Sequence, residues 1–161
     1  MSDISKAYNQ ALRFLTTRAR SVKETEENLK KKGFEPGVIE EIVSKLKQEN
    51  LLNDMEFAGM FVESRERFRP KSKFALGYEL RQKGISELII EKALGEIDDR
   101  SSALKAVRSK FHLWQHLDRE SFHKKAMNHL KSRGFGHGVS VSACEQVFEP
   151  ENNLKEGTFE N

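Results

Sequence analysis

Apolar residues recur at helical spacing along nearly the whole chain. Ile4, Ala7, Tyr8, Ala11, Leu12 and Leu15 make a first stripe, which predicts a helix from about Ser5 to Thr17. Ser21, with Glu24 three residues on, has the form of a capping box. It opens a polar second helix whose apolar contacts are Val22 and Leu29. Pro36 suits the first turn of a third helix, which buries Val38, Ile39, Ile42, Val43 and Leu46 and ends near Asn50. Asn53 or Asp54 caps a fourth, with Phe57, Ala58, Phe61 and Val62 inward. Pro70 interrupts the pattern, and Ser72 caps a fifth helix carrying Leu76 and Leu80. Ser86 opens a sixth, striped by Ile89, Ile90, Ala93, Leu94 and Ile97. Asp98, Asp99 and Ser101 open a seventh, with Leu104, Val107, Phe111 and Trp114 inward. Asp118 precedes an eighth, where Phe122, Ala126 and Leu130 step by four. The ninth is the least marked: Val139 and Val141 are β-branched, and Gly134, Gly136 and Gly138 precede it without a decisive cap. No sustained period-2 alternation and no Asn-Gly turn signals a strand.

The pattern also repeats at long range. Lys30-Lys31-Lys32-Gly33-Phe34, Arg81-Gln82-Lys83-Gly84-Ile85 and Lys131-Ser132-Arg133-Gly134-Phe135 place their glycines 51 and 50 residues apart. A leucine stands four residues before each glycine (Leu29, Leu80, Leu130) and a large apolar residue follows it. This is the sequence form of a Schellman stop: glycine left-handed at C′, with the apolar C″ residue packed on C3. The expected fold is therefore all-α, with three tandem three-helix repeats in an elongated, curved arrangement. The expected boundaries are residues 1–51, 52–98 and 99–149, with a disordered polar tail at 150–161. Each unit alone has little core, so stacking on neighbours supplies the stability.

Charge changes the picture more than total composition does. Of 161 residues, 28 are Lys or Arg and 25 are Asp or Glu, so the net charge of +3 hides strong clustering. From Arg65 to Lys83 seven of nine charged residues are basic, and from Lys105 to Arg133 eight of ten. The candidate binding residues are Arg65, Arg67, Arg69, Lys71, Lys73, Arg81 and Lys83 in the middle repeat. In the third they are Lys105, Arg108, Lys110, Lys124, Lys125, Lys131 and Arg133. Phosphates or an acidic protein surface would be their partners. The plainer reading is a solvated face, and at the three stops, compensation of the helix dipole. Phe68, Phe74 and Tyr78 interleave with the middle cluster. Core packing is the expected role for them, and stacking on a base or a partner is the other.

Little points to catalysis. There is no Walker-type glycine loop, no paired-carboxylate motif and no Gly-x-Ser-x-Gly, so neither an enzyme nor a cofactor is expected. His112 and His116 stand four apart, with His123 and His129 nearby. A metal would need a third ligand, for which only Cys144 and Asp118 offer, and no metal is expected. Cys144 is the single cysteine; its repeat equivalents are Val43 and Leu94, which marks it as core. No apolar run reaches membrane-spanning length and no signal-peptide pattern opens the chain, so a cytoplasmic protein is expected; a monomer is the expected state.

The middle repeat resembles a known family. Phe57-Ala58, Val62, Ser64-Arg65, Pro70, Leu76, Glu79-Leu80 and Lys83-Gly84-Ile85 are similar to the pattern of the RecX family, modulators of the RecA recombinase. Ala11-Leu12, Lys32-Gly33-Phe34, Lys110-Phe111 and Arg133-Gly134-Phe135 extend the resemblance to about Ala7–Val147. The chain departs from it at Arg69, where the family usually has glycine, and at Thr25, where it tends to leucine. The resemblance implies a noncatalytic inhibitor whose partners are RecA and the RecA–single-stranded DNA filament. It implies restraint of filament growth, ATP hydrolysis, strand exchange and coprotease activity, and so of DNA repair and the SOS response. A direct nucleic-acid-binding helical repeat protein, or an adaptor for another partner, are the alternatives.

Overall fold

The computed structural model describes residues 2–148; the expected tail at 150–161 lies outside them. Among the described residues there are nine α-helices and no strands. They are α1 (Asp3–Thr17), α2 (Val22–Lys31), α3 (Pro36–Gln48), α4 (Asp54–Phe68), α5 (Lys73–Gln82), α6 (Glu87–Leu94), α7 (Asp99–Trp114), α8 (Arg119–Ser132) and α9 (His137–Phe148).

The three glycine stops are Schellman motifs in full. Phe34, Ile85 and Phe135 donate their N–H to Leu29, Leu80 and Leu130 carbonyls at 3.2, 3.1 and 3.1 Å. The glycines bond three residues back, to Lys30, Arg81 and Lys131, and take φ of +88°, +76° and +85°. A fourth stop ends α3 without glycine. Asn50 stands at φ +57°, and Leu51 donates to Leu46 at 2.9 Å. Asparagine tolerates this conformation better than other side chains.

One start differs from the sequence expectation, and another is resolved between two candidates. The first helix begins at Asp3, because the Ser2 hydroxyl accepts from Ser5 N–H at 3.2 Å. The capping box at Ser21 and Glu24 forms as expected. Asn53, not Asp54, caps α4, accepting from Glu56 N–H at 3.1 Å. The ninth helix is well formed despite its valines. It buries small residues, Ser140, Ala143 and Cys144, with Val147, and the Ser140 hydroxyl donates back to Gly136 O at 2.8 Å.

The first core gathers Ala7 and Ala11 of α1, Leu29 of α2, Ile42, Val43 and Leu46 of α3, and Leu52. Completely burying one such leucine contributes about 1.5–3 kcal/mol. Thr25 belongs to the same interior. It is fully buried, and its hydroxyl donates to Ser21 O at 3.0 Å. The last core surrounds Phe122, which meets Phe111 edge-on at 5.8 Å and Phe148 at 5.2 Å between ring centroids. Its α7 face is lined by Ser102, Ala103, Ala106 and Val107, smaller residues than the Leu104 and Phe111 stripe suggests.

By packing, the described residues form two compact units. One holds the residues up to Val62 with Tyr78–Gly95; the other holds Glu63–Gly77 with those from Glu96 onward. The division passes through α4 and α5, so each unit contains one joint between successive helix triplets.

Within the first unit, the joint links α1–α3 to α4–α6. Asp54 Oδ1 accepts from Val22 N–H at 2.8 Å, capping α2 from the next triplet. The stem of Lys23 lies over Gly84, so close that an added Cβ there would stand 2.6 Å from the lysine Cβ. Lys83 Nζ meets Glu24 at 2.7 Å.

Within the second unit, the same frame recurs between α5 and α7–α9. Asp99 Oδ1 accepts from Lys73 N–H at 2.8 Å, and Ser72 N–H donates to Arg133 O at 3.1 Å. Ser72 and Ala75 lie over Gly134, 2.6 and 2.8 Å from where its Cβ would stand. Glu66 accepts from the Ser102 hydroxyl at 2.6 Å and meets Lys105 Nζ at 3.4 Å.

Candidate interaction surface

In the second unit, α4 runs out at Phe68, where Pro70 cannot continue it. Between there and α5 the chain is held at three points. Pro70 is buried, Ser72 is 1% exposed with both its N–H and its hydroxyl engaged, and Lys73 N–H is capped by Asp99. These anchors turn the intervening side chains outward. Arg67, Phe68, Arg69, Lys73 and Phe74 are exposed; Arg65 and Lys71 are half-buried.

The aromatic residues correct the sequence expectation. Phe68 and Phe74 are 71% and 78% exposed, and in the first unit Tyr78 is 59% exposed. None is core. Leu76 and Leu80 take the inward face of α5, and the aromatics stand two residues away, on the opposite side. The Arg67 guanidinium lies 5.3 Å from the Phe68 ring centroid, within cation–π range.

Other predicted cations are held within the fold. Arg81 forms an exposed bidentate pair with Glu87. Lys83 is half-buried against Glu24, which Arg18 also contacts at 2.7 Å. Burial alone would raise the Glu24 carboxyl, but hydrogen bonds from Arg18, Lys83 and Ser21 outweigh it and hold it at about 2. Lys105 is committed to Glu66.

On α7, α8 and the turn after α8, Arg108, Lys124, Lys125 and Lys131 are exposed, and Lys110 and Arg133 are half-buried. Burial, then the charges of Arg133 and Lys110, keep His129 below the ordinary histidine range. These three residues therefore share one electropositive neighbourhood. Burial, then Glu145, pushes the Cys144 thiol up to about 11, as befits a core side chain 2% exposed. Among the described residues no group of three His, Cys, Asp or Glu side chains is placed to hold a metal ion. None of the described helices is long and apolar enough to cross a membrane.

Sequence reading placed Asp54, Asp99 and Glu24 only at local helix starts and missed their roles across the joints, as it missed that of Glu66. Asp54 and Asp99 cap helices across the joints, and Glu24 and Glu66 take up Lys83 and Lys105. One signal was available: Asp3 and Asp54 both stand 30 residues before a stop glycine.

Helix triplets joined by capped seams, with exposed cationic and aromatic side chains, define a helical-repeat protein. The model of the first three-helix domain of RecX matches residues 7–46, and that of the second matches residues 53–94. The regulatory protein RecX of Prosthecochloris aestuarii is 40% identical over 83% of this chain and 88% of its own length. That of Bacillus subtilis is 35% identical over 90% of this chain, which spans 56% of the longer protein. The crystal structure of RecX from Lactobacillus salivarius superposes with a TM-score of 0.72, at 26% identity over 92% of this chain and 97% of that one. The chain belongs to the RecX family, whose members here are named regulatory proteins.

Proposed function

We propose that this chain is a noncatalytic regulator that binds RecA and its filament on single-stranded DNA. Binding lowers recombinase, ATPase and coprotease activity, and so tempers DNA repair and the SOS response. It acts in the cytoplasm as a monomer. Membership of a family named for regulation supports a regulator. One observation carries the choice of surface: Phe68 and Phe74 stand out from the helix ends that flank a basic loop whose backbone is pinned. Aromatic and arginine side chains are enriched at interfaces, and a pinned loop has little entropy left to lose on binding. Arg65, Arg67, Arg69, Lys71 and Lys73 form the centre of the contact. Arg108, Lys110, Lys124, Lys125, Lys131 and Arg133 extend it, while Arg81, Lys83 and Lys105 contribute through the pairs they already make.

The test is RecA ATP hydrolysis on single-stranded DNA, titrated with this protein. Strong inhibition is expected, and its loss in a Phe68→Ala, Phe74→Ala double variant. An unchanged ATPase rate at saturating protein would overturn the proposal.

The exposed aromatics also favour a second reading, direct binding of single-stranded nucleic acid, with bases stacked on rings and phosphates on the cations. This reading expects tight, salt-sensitive binding to bare DNA without RecA, weakened by the same double variant.

A further inference from the structure

The cations of α7 and α8 converge at one place. Trp114 of α7 meets the His129 ring of α8 edge-on, at 5.7 Å between centroids. Lys110 stands four residues before Trp114, and Arg133 four after His129. Each is therefore about one helical turn from that contact, on the same side of its helix. Lys110, His129 and Arg133 are all half-buried. The main chain at Arg133 is fixed from two directions. Its N–H donates to the His129 and Leu130 carbonyls, and its own carbonyl accepts from Ser72 N–H.

What these groups lack is a counter-ion. Lys83, also half-buried, meets Glu24 at 2.7 Å, and Lys105 on α7 meets Glu66. Among the described residues no carboxylate pairs with Lys110 or Arg133, and neither His129 ring nitrogen has a hydrogen-bond partner. The charges that act on His129 repel a proton. Burial first, then Arg133 and Lys110, hold its imidazole below the ordinary histidine range, so it is neutral at pH 7. Lys125, one turn earlier on α8, is exposed, and α9 brings no charge to it.

An anion would relieve all three at once. The guanidinium supplies a fork of N–H donors, the ammonium a point charge, and the imidazole a further donor once protonated. A planar carboxylate is filled by the arginine fork alone, whereas a phosphate has oxygens left for donors arriving from another helix. Exposed Arg108, Lys124, Lys125 and Lys131 lie on the same two helices, where the next phosphates of a strand would find them.

We propose that Lys110, His129 and Arg133 form a phosphate-binding site that takes one phosphodiester of a nucleic-acid strand. His129 takes up a proton as the phosphate enters. The site rests on the reading of the α7 and α8 cations as a binding surface, and gives that surface a ligand and a pH dependence.

The test follows the ring C–H signals of His129 against pH by NMR, in the full chain alone, with inorganic phosphate, and with a short oligothymidylate. His123, exposed on the same helix, is the internal control. With the oligonucleotide the His129 midpoint should rise by about one pH unit, and that of His123 by less. Affinity should then grow about tenfold as pH falls through the two midpoints. His129→Gln should abolish this pH dependence. Lys110→Gln with Arg133→Gln should lower the slope of log affinity against log salt by about 0.7; neither side chain makes a hydrogen bond that the fold would lose. A shift with inorganic phosphate as well supports the site. A shift with inorganic phosphate alone overturns the nucleic-acid source. No shift of His129, an equal shift of His123, or an unchanged salt slope overturns the proposal. Inhibition of RecA through Phe68 and Phe74 is read separately in the ATPase assay, so either reading can fail without the other.

Discussion

At the joint in the first unit, α2 lays the stem of Lys23 on Gly84; at the joint in the second, α5 lays Ser72 and Ala75 on Gly134. An aspartate caps the incoming helix in both, at 2.8 Å. The first joint closes with a charged clasp, Glu24 with Arg18 and Lys83, and the second with a hydroxyl and a more distant lysine on Glu66. Backbone geometry is thus shared while the filling differs. A repeat keeps what its main chain must satisfy, and varies what several side chains can supply. The second joint adds a direct Ser72 N–H to Arg133 O bond, and small side chains, Ser72 and Ala75, lie over its glycine.

The largest effects should come from the glycines. Gly134→Ala and Gly84→Ala each combine a left-handed backbone with overlap against a neighbour, and should cost about 2–4 kcal/mol in urea denaturation. Gly33→Ala carries only the backbone term, about 1–2 kcal/mol. Equal losses at all three would break the contrast between covered and open stops.

Next come the caps. Asp54→Ala and Asp99→Ala should each cost about 1 kcal/mol by thermal denaturation, since each strands a helix N–H across a joint. A clear inequality between them would mean that the shared frame is not equally important in the two units.

The charged clasp sharpens the comparison through pH. Glu24 is held at about 2, against 4.5 for an unperturbed carboxyl. A carboxylate depressed in the folded state adds stability that is present above the unfolded value and is lost as pH falls toward the folded one. Melting temperature should therefore drop between about pH 4.5 and 2, and drop less in Glu24→Gln. The same slope in both proteins would sink the clasp. The smallest stability effect belongs to the ridge. Phe68→Ala and Phe74→Ala should stay within about 0.5 kcal/mol of the natural chain by denaturation, while any activity carried by this surface falls.

Sequence alone determined the helices and their period. A 3.6-residue stripe, a capping serine and a Leu-x-x-x-Gly-apolar stop act over one or two turns, so each is legible without knowing what lies opposite. Even there the local view faltered where two signals competed, as at Asn53 and Asp54. The cationic stretches were legible too, because charge is a property of composition. What the sequence could not reveal was which side of a short helix has a neighbour. Phe74 and Leu76 are equally apolar, and only the placement of neighbouring helices puts one outside and the other in. The same holds for Asp54, Asp99, Glu24 and Glu66. Their partners across the joints lie 26 to 59 residues away, brought near only when the triplets stack. Tertiary structure decided which cations are already paired, which aromatics are exposed, and which of three like-built stops is left uncovered.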